Sequence, residues 1–285
     1  MRTETEVIHS VLNFSENNDM IRAALLNGSR ANPNVARDIF CDYDIGLYVT
    51  DPDHFWQDRS WIQQFGELII LQANEWEEGD ASGYIFLMLF SDGVRIDLAF
   101  DPIEHYDLFL DDSLTVVLLD KDQVMPTLPP PSERSYFTQK PTQKEFDETA
   151  NEFWWCSTNV AKGIWRQELS YARWMYDVNV RECILKMLSW YIGLHHHWQS
   201  NPGNHGKWFR HYLPIDLWLS FEKTYAGYSY AEMWESLFEA GRLIRQIGLE
   251  IVDNLGYTYP FQDDQRVTAY LKQVRQLPKD ASTFH

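Results

Sequence analysis

The chain predicts an α+β protein in two parts: a mixed β-sheet domain flanked by helices over residues 1–135, and an α-helical bundle over residues 136–285. Three observations carry this. Six short apolar, strand-like runs crowd into the first 120 residues; a proline cluster, Met125-Pro-Thr-Leu-Pro-Pro-Pro131, follows them; and beyond it apolar residues recur three to four apart. Proline has no backbone N–H and cannot continue a helix or a central strand, so the cluster marks a connector.

The elements follow in order. Val7, Ile8, Val11 and Leu12 fall at helical spacing within residues 4–17, and Asn17-Asn18-Asp19 ends that helix. Strands are expected at 21–26, 44–49, 68–72, 84–90, 94–100 and 115–119. Asp92-Gly93 between two of them is a two-residue hairpin signal, because Gly tolerates the positive φ that such turns need. After the prolines, Phe146, Ala150, Phe153, Ser157, Val160 and Ile164 trace one helix, with others expected at 168–176, 178–197, 215–224, 230–255 and 265–276. The Trp and Met residues of these later helices suit core packing.

Composition bounds the function. With 285 residues, 45% hydrophobic, and twelve Trp, the chain can fill two cores. It has no run of the roughly 20 apolar residues that a membrane-spanning helix requires. The charged start, Met-Arg-Thr-Glu-Thr-Glu, has no signal-peptide apolar segment, which implies a cytoplasmic protein. Cys41, Cys156 and Cys183 are odd in number and widely spaced, as reduced core thiols would be. Formal net charge is −18, from 42 acidic against 24 basic residues. Such a surface repels nucleic acid, whose binding depends on Lys and Arg displacing counterions. It either concentrates a small polycation in an acidic cleft or serves solubility alone.

One constellation carries chemistry. Gly28-Ser29-Arg30 ends an apolar run, and after a gap of eleven residues Asp42-Tyr43-Asp44 opens a second; Asp97 interrupts a third, Val94-Arg-Ile-Asp-Leu-Ala-Phe100. Side chains alternate along a strand, so Asp42 and Asp44 share a face and converge. Hard divalent ions are held by one or two carboxylates plus substrate phosphates, and paired ions clamp the two oxygens of an in-line displacement. Three carboxylates on adjacent strands without a cation would be prohibitively costly. Gly28 lets backbone amides approach a phosphate, Ser29 adds a hydroxyl, and Arg30 either adds a cationic fork or pairs with Asp38 or Glu16. The chain contains neither a Walker A motif nor Gly-x-Gly-x-x-Gly. His195, His196 and His197 fan out around their helix and cannot ligate one ion together.

These segments resemble the DNA polymerase β-like nucleotidyltransferases and, within them, the aminoglycoside 6-adenylyltransferase (streptomycin adenylyltransferase) family. The likeness extends to Asn151-Glu-Phe-Trp154, Val160-Ala-Lys-Gly163, Gly206-Lys207, Arg210-His-Tyr-Leu213 and Tyr230-Ala-Glu-Met-Trp-Glu-Ser-Leu-Phe238. Departures are Asn27 before the Gly-Ser, where an acidic residue is common, and a substituted loop around 75–82. The resemblance implies transfer of AMP from ATP, with one or two Mg2+ ions, to a hydroxyl of an aminoglycoside, the 6-hydroxyl of streptomycin foremost, releasing pyrophosphate. It places Gly28, Ser29 and Arg30 on the phosphates, Asp42, Asp44 and Asp97 on metal, and Asp97 also as the proton acceptor. Glu152, Trp155, Asn159 and Lys162 share one helix face. That face either carries a nucleotide-binding Lys162 with acceptor-binding Glu152 and Trp155, or is a solvated face with Trp155 packed on the bundle. Lys207 and Arg210 are weaker basic candidates. The rivals are adenylylation of another small molecule or of a protein hydroxyl, and a non-catalytic toxin partner. A pure binding module has no need of the three acids.

Overall fold

The structure is a computed structural model and describes residues 1–284. Its contacts separate two compact units, Met1–Ser135 and the chain from Tyr136 onward.

The first unit begins with α1 (Glu4–Glu16), started by a capping box in which the Thr3 hydroxyl accepts the Glu6 N–H and the Glu6 carboxylate accepts the Thr3 N–H. Buried Val7, Val11 and Phe14 form its inward stripe. Six strands follow: β1 (Ile21–Asn27), β2 (Tyr43–Val49), β3 (Leu68–Glu78), β4 (Ala81–Phe90), β5 (Arg95–Pro102) and β6 (Thr115–Asp120). They form one sheet in the order β3-β4-β5-β2-β1-β6. Among the described residues only β2 and β5 run parallel; every other pair is antiparallel. A hairpin joins β4 to β5 at Asp92-Gly93 as expected, but through a three-residue loop, residues 91–93, rather than two: the Phe90 N–H donates to the Val94 carbonyl and the Gly93 N–H to the Phe90 carbonyl, both at 2.9 Å, with Gly93 at φ 84°.

Alternation gives the sheet two unlike faces. Tyr43, Ile45, Leu47 and Val49 of β2, Ile96, Leu98 and Phe100 of β5, and Phe86, Met88 and Phe90 of β4 join α1, Phe55, Trp61 and Phe65 in one apolar core. Each large side chain removed from water there contributes about 1.5–3 kcal/mol. The residues of opposite parity, Asp44, Gly46 and Tyr48 of β2 with Asp97, Ala99 and Asp101 of β5, face a cavity instead. The first face carries the larger apolar core, and the second combines these polar groups with a smaller buried cluster of Ala23, Leu25 and Tyr48.

Two local expectations are corrected. The stretch 75–82 is not a loop: β3 continues to Glu78, and only Gly79-Asp80 separates it from β4. Its glutamates are tolerated because β3 is an edge strand, where charge blocks further pairing. A short helix, α2 (Pro52–Gln57), has no counterpart among the expected elements, although Asp51 caps it by accepting the His54 N–H and Pro52 sits in its first turn.

The second unit is helical: α3 (Gln143–Arg166), α4 (Leu169–Trp174), α5 (Arg181–His195), α6 (Phe209–Tyr212), α7 (Ile215–Lys223), α8 (Tyr230–Leu255) and α9 (Phe261–Gln276). The expected break near residue 177 does not occur, because a π-helical turn, Met175–Val180, carries α4 into α5. Within that turn the buried Tyr176 hydroxyl donates to the Thr224 carbonyl at 2.6 Å and to that of Ser236 at 3.1 Å. The predicted 230–255 helix matches α8, which starts on a Ser229–Glu232 capping box and stops at left-handed Gly256. Trp154, Trp190, Trp234, Met187 and Met233 are core residues, as expected, whereas Trp155 and Trp174 are exposed. His195, His196 and His197 are exposed, and His195 Nε2 lies 2.8 Å from Glu250 Oε1. Among the described residues no helix is long and apolar enough to cross a membrane. All three cysteines are free; burial pushes the thiols of Cys156 and Cys183 up to about 12, which keeps them inert, while Cys41 is half-buried.

Candidate active site

The parallel pairing of β2 with β5 puts Asp44 directly beside Asp97. Asp42 precedes β2 by one residue, with the same parity as Asp44. Gly28 follows β1, whose last residue, Asn27, pairs with Asp44. Gly28 has φ 68°, and a Cβ there would fall 2.6 Å from Asp44 Oδ2. Glycine is needed twice over, for its backbone and for the space that the carboxylate occupies.

The three carboxylates do not close on a common point. Among the described residues no group of three or more His, Cys, Asp or Glu side chains is arranged to hold a metal ion. Arg95, two residues before Asp97 on the same strand face, lies across them. Its Nε and Nη2 donate to Asp97 at 2.9 and 2.7 Å, and its Nη1 lies 3.4 Å from Asp42 Oδ2. The Asp97 hydrogen bonds, with the nearby charges of Asp97, Asp42 and Asp44, raise the Arg95 pKa. A planar guanidinium on both oxygens of a nearly buried carboxylate is the strong, bidentate form of this interaction. The hard oxygen donors and the cation lodged among them fit a divalent metal site in charge and in ligand chemistry.

Arg30 sits differently from either alternative read in the sequence. It is 9% exposed and stacks on the Tyr43 ring, 3.7 Å from its centroid. Its donors reach the Cys41 carbonyl at 2.6 Å, the Asp42 carbonyl at 3.2 Å and Glu4 Oε2 at 3.0 Å. Its ion-pair partner is therefore Glu4, not Asp38 or Glu16, and its fork clamps the backbone that bears Asp42. Ser29 Oγ lies 3.2 Å from Cys41 Sγ on the same loop.

Beside Asp44 and Asp97 opens a cavity of about 580 Å³, also lined by Asn27, Tyr48, Trp76, Glu77, Glu78, Asp101, Asp111 and Asp112. It contains seven carboxylates and no Lys or Arg. Asp101 is 5% exposed and accepts the Trp76 indole N–H at 3.1 Å. Burial raises its pKa to about 7, against the pull of that hydrogen bond. Burial, and then the Asp101 charge, also raise the pKa of Tyr48 on the neighbouring strand. Asn27 Oδ1 is buried with no hydrogen-bond partner among the described residues, an acceptor in need of a donor.

The remaining candidates belong to the second unit. On α3, Trp155 is 65% exposed, and so is not packed on the bundle, while Glu152 is exposed and accepts the Cys156 thiol at 3.0 Å. Lys162 lines a separate cavity of about 240 Å³ with Trp165, Arg166 and Tyr270. Lys207 and Arg210 are exposed and lie over the rings of Trp208 and Trp218. Sequence reasoning missed Arg95, Trp76 and Asp101. The available signal was parity, because Arg95, Asp97 and Asp101 share one face of a strand.

A mixed sheet that carries Gly-Ser at the end of one strand and carboxylates on two neighbouring strands is the arrangement of a nucleotidyltransferase. A family model described as streptomycin adenylyltransferase matches residues 1–274, and the chain belongs to that family. An aminoglycoside 6-adenylyltransferase of Campylobacter jejuni is 39% identical over 279 residues, covering 96% of this chain and 97% of that protein. One from Bacillus subtilis (strain 168) is 36% identical over 280 residues, covering 96% and 98%. A crystal structure of an aminoglycoside 6-adenyltransferase from Bacillus subtilis aligns at 31% identity with a TM-score of 0.49, covering 97% of this chain and all of that one. The family assignment rests on the sequence matches.

Proposed function

We propose that the protein transfers AMP from ATP to a hydroxyl of a cationic aminoglycoside, the 6-hydroxyl of streptomycin foremost, and releases pyrophosphate. The observation that carries the acceptor class is the cavity beside Asp97: apart from Asp44 and Asp97 themselves it is lined by five carboxylates, Glu77, Glu78, Asp101, Asp111 and Asp112, and among the described residues by no Lys or Arg. A triphosphate would be repelled there, whereas a polycation is concentrated and its ammonium or guanidinium groups find acceptors in Asp101, Glu77 and the orphan Asn27 oxygen. Family membership supports the same assignment.

In this reading Asp42, Asp44 and Asp97 would hold Mg2+, which supplies charge neutralisation at the phosphates. Ser29 and the backbone at Gly28 face the phosphate chain, and Arg30 acts indirectly by holding the loop that carries Asp42. The acceptor hydroxyl attacks the α-phosphorus as its proton passes to Asp97; the new P–O bond forms and the bond to pyrophosphate breaks. Positioning and electrostatics do most of the work, since phosphoryl-type transfer asks little covalent chemistry of the protein. We assign Glu152 and the exposed Trp155 to the acceptor and Lys162 to the nucleotide on the resemblance of their segments to the family.

Asp101 makes the acceptor assignment testable through pH. Its carboxyl is neutral below about pH 7 and ionised above, so its attraction for a bound cation is present at higher pH and lost as pH falls through that value. A guanidinium acceptor keeps its own charge throughout. Asp101→Asn should weaken acceptor binding roughly tenfold or more at about pH 8 and change it little at about pH 5.5, where the wild-type group is protonated. Calorimetric titration with streptomycin at both pH values measures this. Equal affinity of wild type and variant at the higher pH would remove Asp101, and the cavity around it, from acceptor recognition.

A further inference from the structure

We propose that Arg95 is a displaceable internal counter-cation, which neutralises Asp97 and Asp42 in the substrate-free protein and must leave Asp97 before metal binds, so that metal and nucleotide bind together. This rests on the proposed role of the three carboxylates as metal ligands. The contacts support displacement. Asp97 is only 8% exposed in its side chain, and both of its oxygens are taken by one guanidinium at 2.9 and 2.7 Å. The Arg95 side chain itself is 43% exposed. It reaches Asp97 by lying back along its own strand, an arrangement that fixes neither its backbone nor the sheet. The partner is therefore strong in charge, and its exposed side chain has solvent on one side into which it can move.

The guanidinium occupies the side of Asp97 and Asp42 that a metal ion would have to take. A guanidinium and a divalent ion cannot both sit against Asp97 without strong mutual repulsion. Arg95 and Asp42 also line a second cavity, of about 430 Å³, that includes Arg2, Arg30 and Arg37 together with Glu4 and Asp38; Arg2 pairs with Asp92, and Arg30 and Arg37 with Glu4. A side chain leaving Asp97 remains on this arginine-rich side, where a triphosphate would offer it a new anionic partner. Metal alone must displace Arg95 without compensation, whereas metal with nucleotide replaces the lost ion pair. By linkage each ligand then tightens the other.

The test is Mn2+ binding followed by the paramagnetic resonance of the free ion, for wild type, Arg95→Met and Arg95→Lys, with and without a non-hydrolysable ATP analogue. Arg95→Met should bind Mn2+ without nucleotide about tenfold more tightly than wild type or better, and the analogue should add less in the variant. Arg95→Lys, a point charge without the fork, should fall between them. Thermal melts with and without Mn2+ show whether each variant is folded, and the metal-free Arg95→Met protein should gain more from Mn2+ than wild type does. Unchanged or weaker Mn2+ binding by folded Arg95→Met and by Arg95→Lys would make Arg95 a fixed support of Asp97 and overturn the proposal. Failure of wild type to bind Mn2+ even with the analogue would overturn the metal-site reading as well. The two failures are thus distinguishable.

Discussion

Asp97→Asn is expected to slow adenylyl transfer by roughly 10² to 10⁴ while leaving nucleotide binding in place, the loss typical of removing a positioned base. The amide keeps the size of the carboxylate but neither takes the acceptor proton nor carries charge toward a metal. Nucleotide still binds because Gly28, Ser29, Asp42 and Asp44 are untouched, losing only the tightening that a metal on Asp97 would add. Fold is not at issue: the neighbours of Asp97 on β5, Ile96 and Leu98, stay in the apolar core on the opposite face. The variant does lose its charge partner for Arg95, so nucleotide titrations should be run beside single-turnover rates. Normal turnover would make Asp97 an ordinary strand carboxylate and move the search for the base to Glu77 and Glu78, which line the same cavity.

Gly28→Ala is the second large effect. Its Cβ would meet Asp44 Oδ2 at 2.6 Å, and its φ of 68° is left-handed. The backbone cost is about 1–2 kcal/mol, and the clash must be relieved by moving Asp44 off its place beside Asp97. A misplaced electrostatic group of this kind costs transfer roughly 10²-fold or more. Gly79→Ala supplies the control, because Gly79 has φ 65° but an added methyl group there would meet nothing within 4 Å. Melting curves should show similar losses for both variants, with activity lost only at Gly28. Equal activity in the two would mean that Asp44 has room to spare and is not held where transfer requires it.

Much of the fold was readable in the sequence because the signals were strong and local. Short apolar runs marked all six strands, Asp92-Gly93 marked the hairpin, and the proline cluster fell just before the division between the two units. The same signals failed where tertiary context decides. Glu75, Glu77 and Glu78 look like loop residues until β3 is known to be an edge strand. The π turn at Met175–Val180 leaves no mark in a pattern of three-to-four spacing. At the site, the residue types of Asp42, Asp44 and Asp97 were enough to suggest the chemistry. That the Asp97 strand lies beside the strand of Asp42 and Asp44 was expected from the hairpin; the parallel pairing of β2 with β5 that sets Asp44 opposite Asp97 was not, because no local pattern specifies it. Arg30 was read from its charge alone, because its burial against Tyr43 and its bonds to the loop that bears Asp42 cannot be seen in the sequence. Arg95 was overlooked for the opposite reason, since its contact with Asp97 is built from simple strand parity. Asp101 shares that parity, but only burial in the cavity makes its carboxyl unusual.

The central claim, that this carboxylate-lined site adenylylates a cationic aminoglycoside, is tested most directly by mass spectrometry. Purified protein is incubated with Mg2+, ATP and a set of aminoglycosides that includes streptomycin, and each acceptor is examined for added mass together with released pyrophosphate. The account predicts one AMP added to an aminoglycoside, with pyrophosphate formed in equal amount, and neither product from Asp97→Asn on the same time scale. Folded wild-type protein that leaves every aminoglycoside unmodified, or that adds a nucleotide equally well in the Asp97→Asn variant, would contradict it.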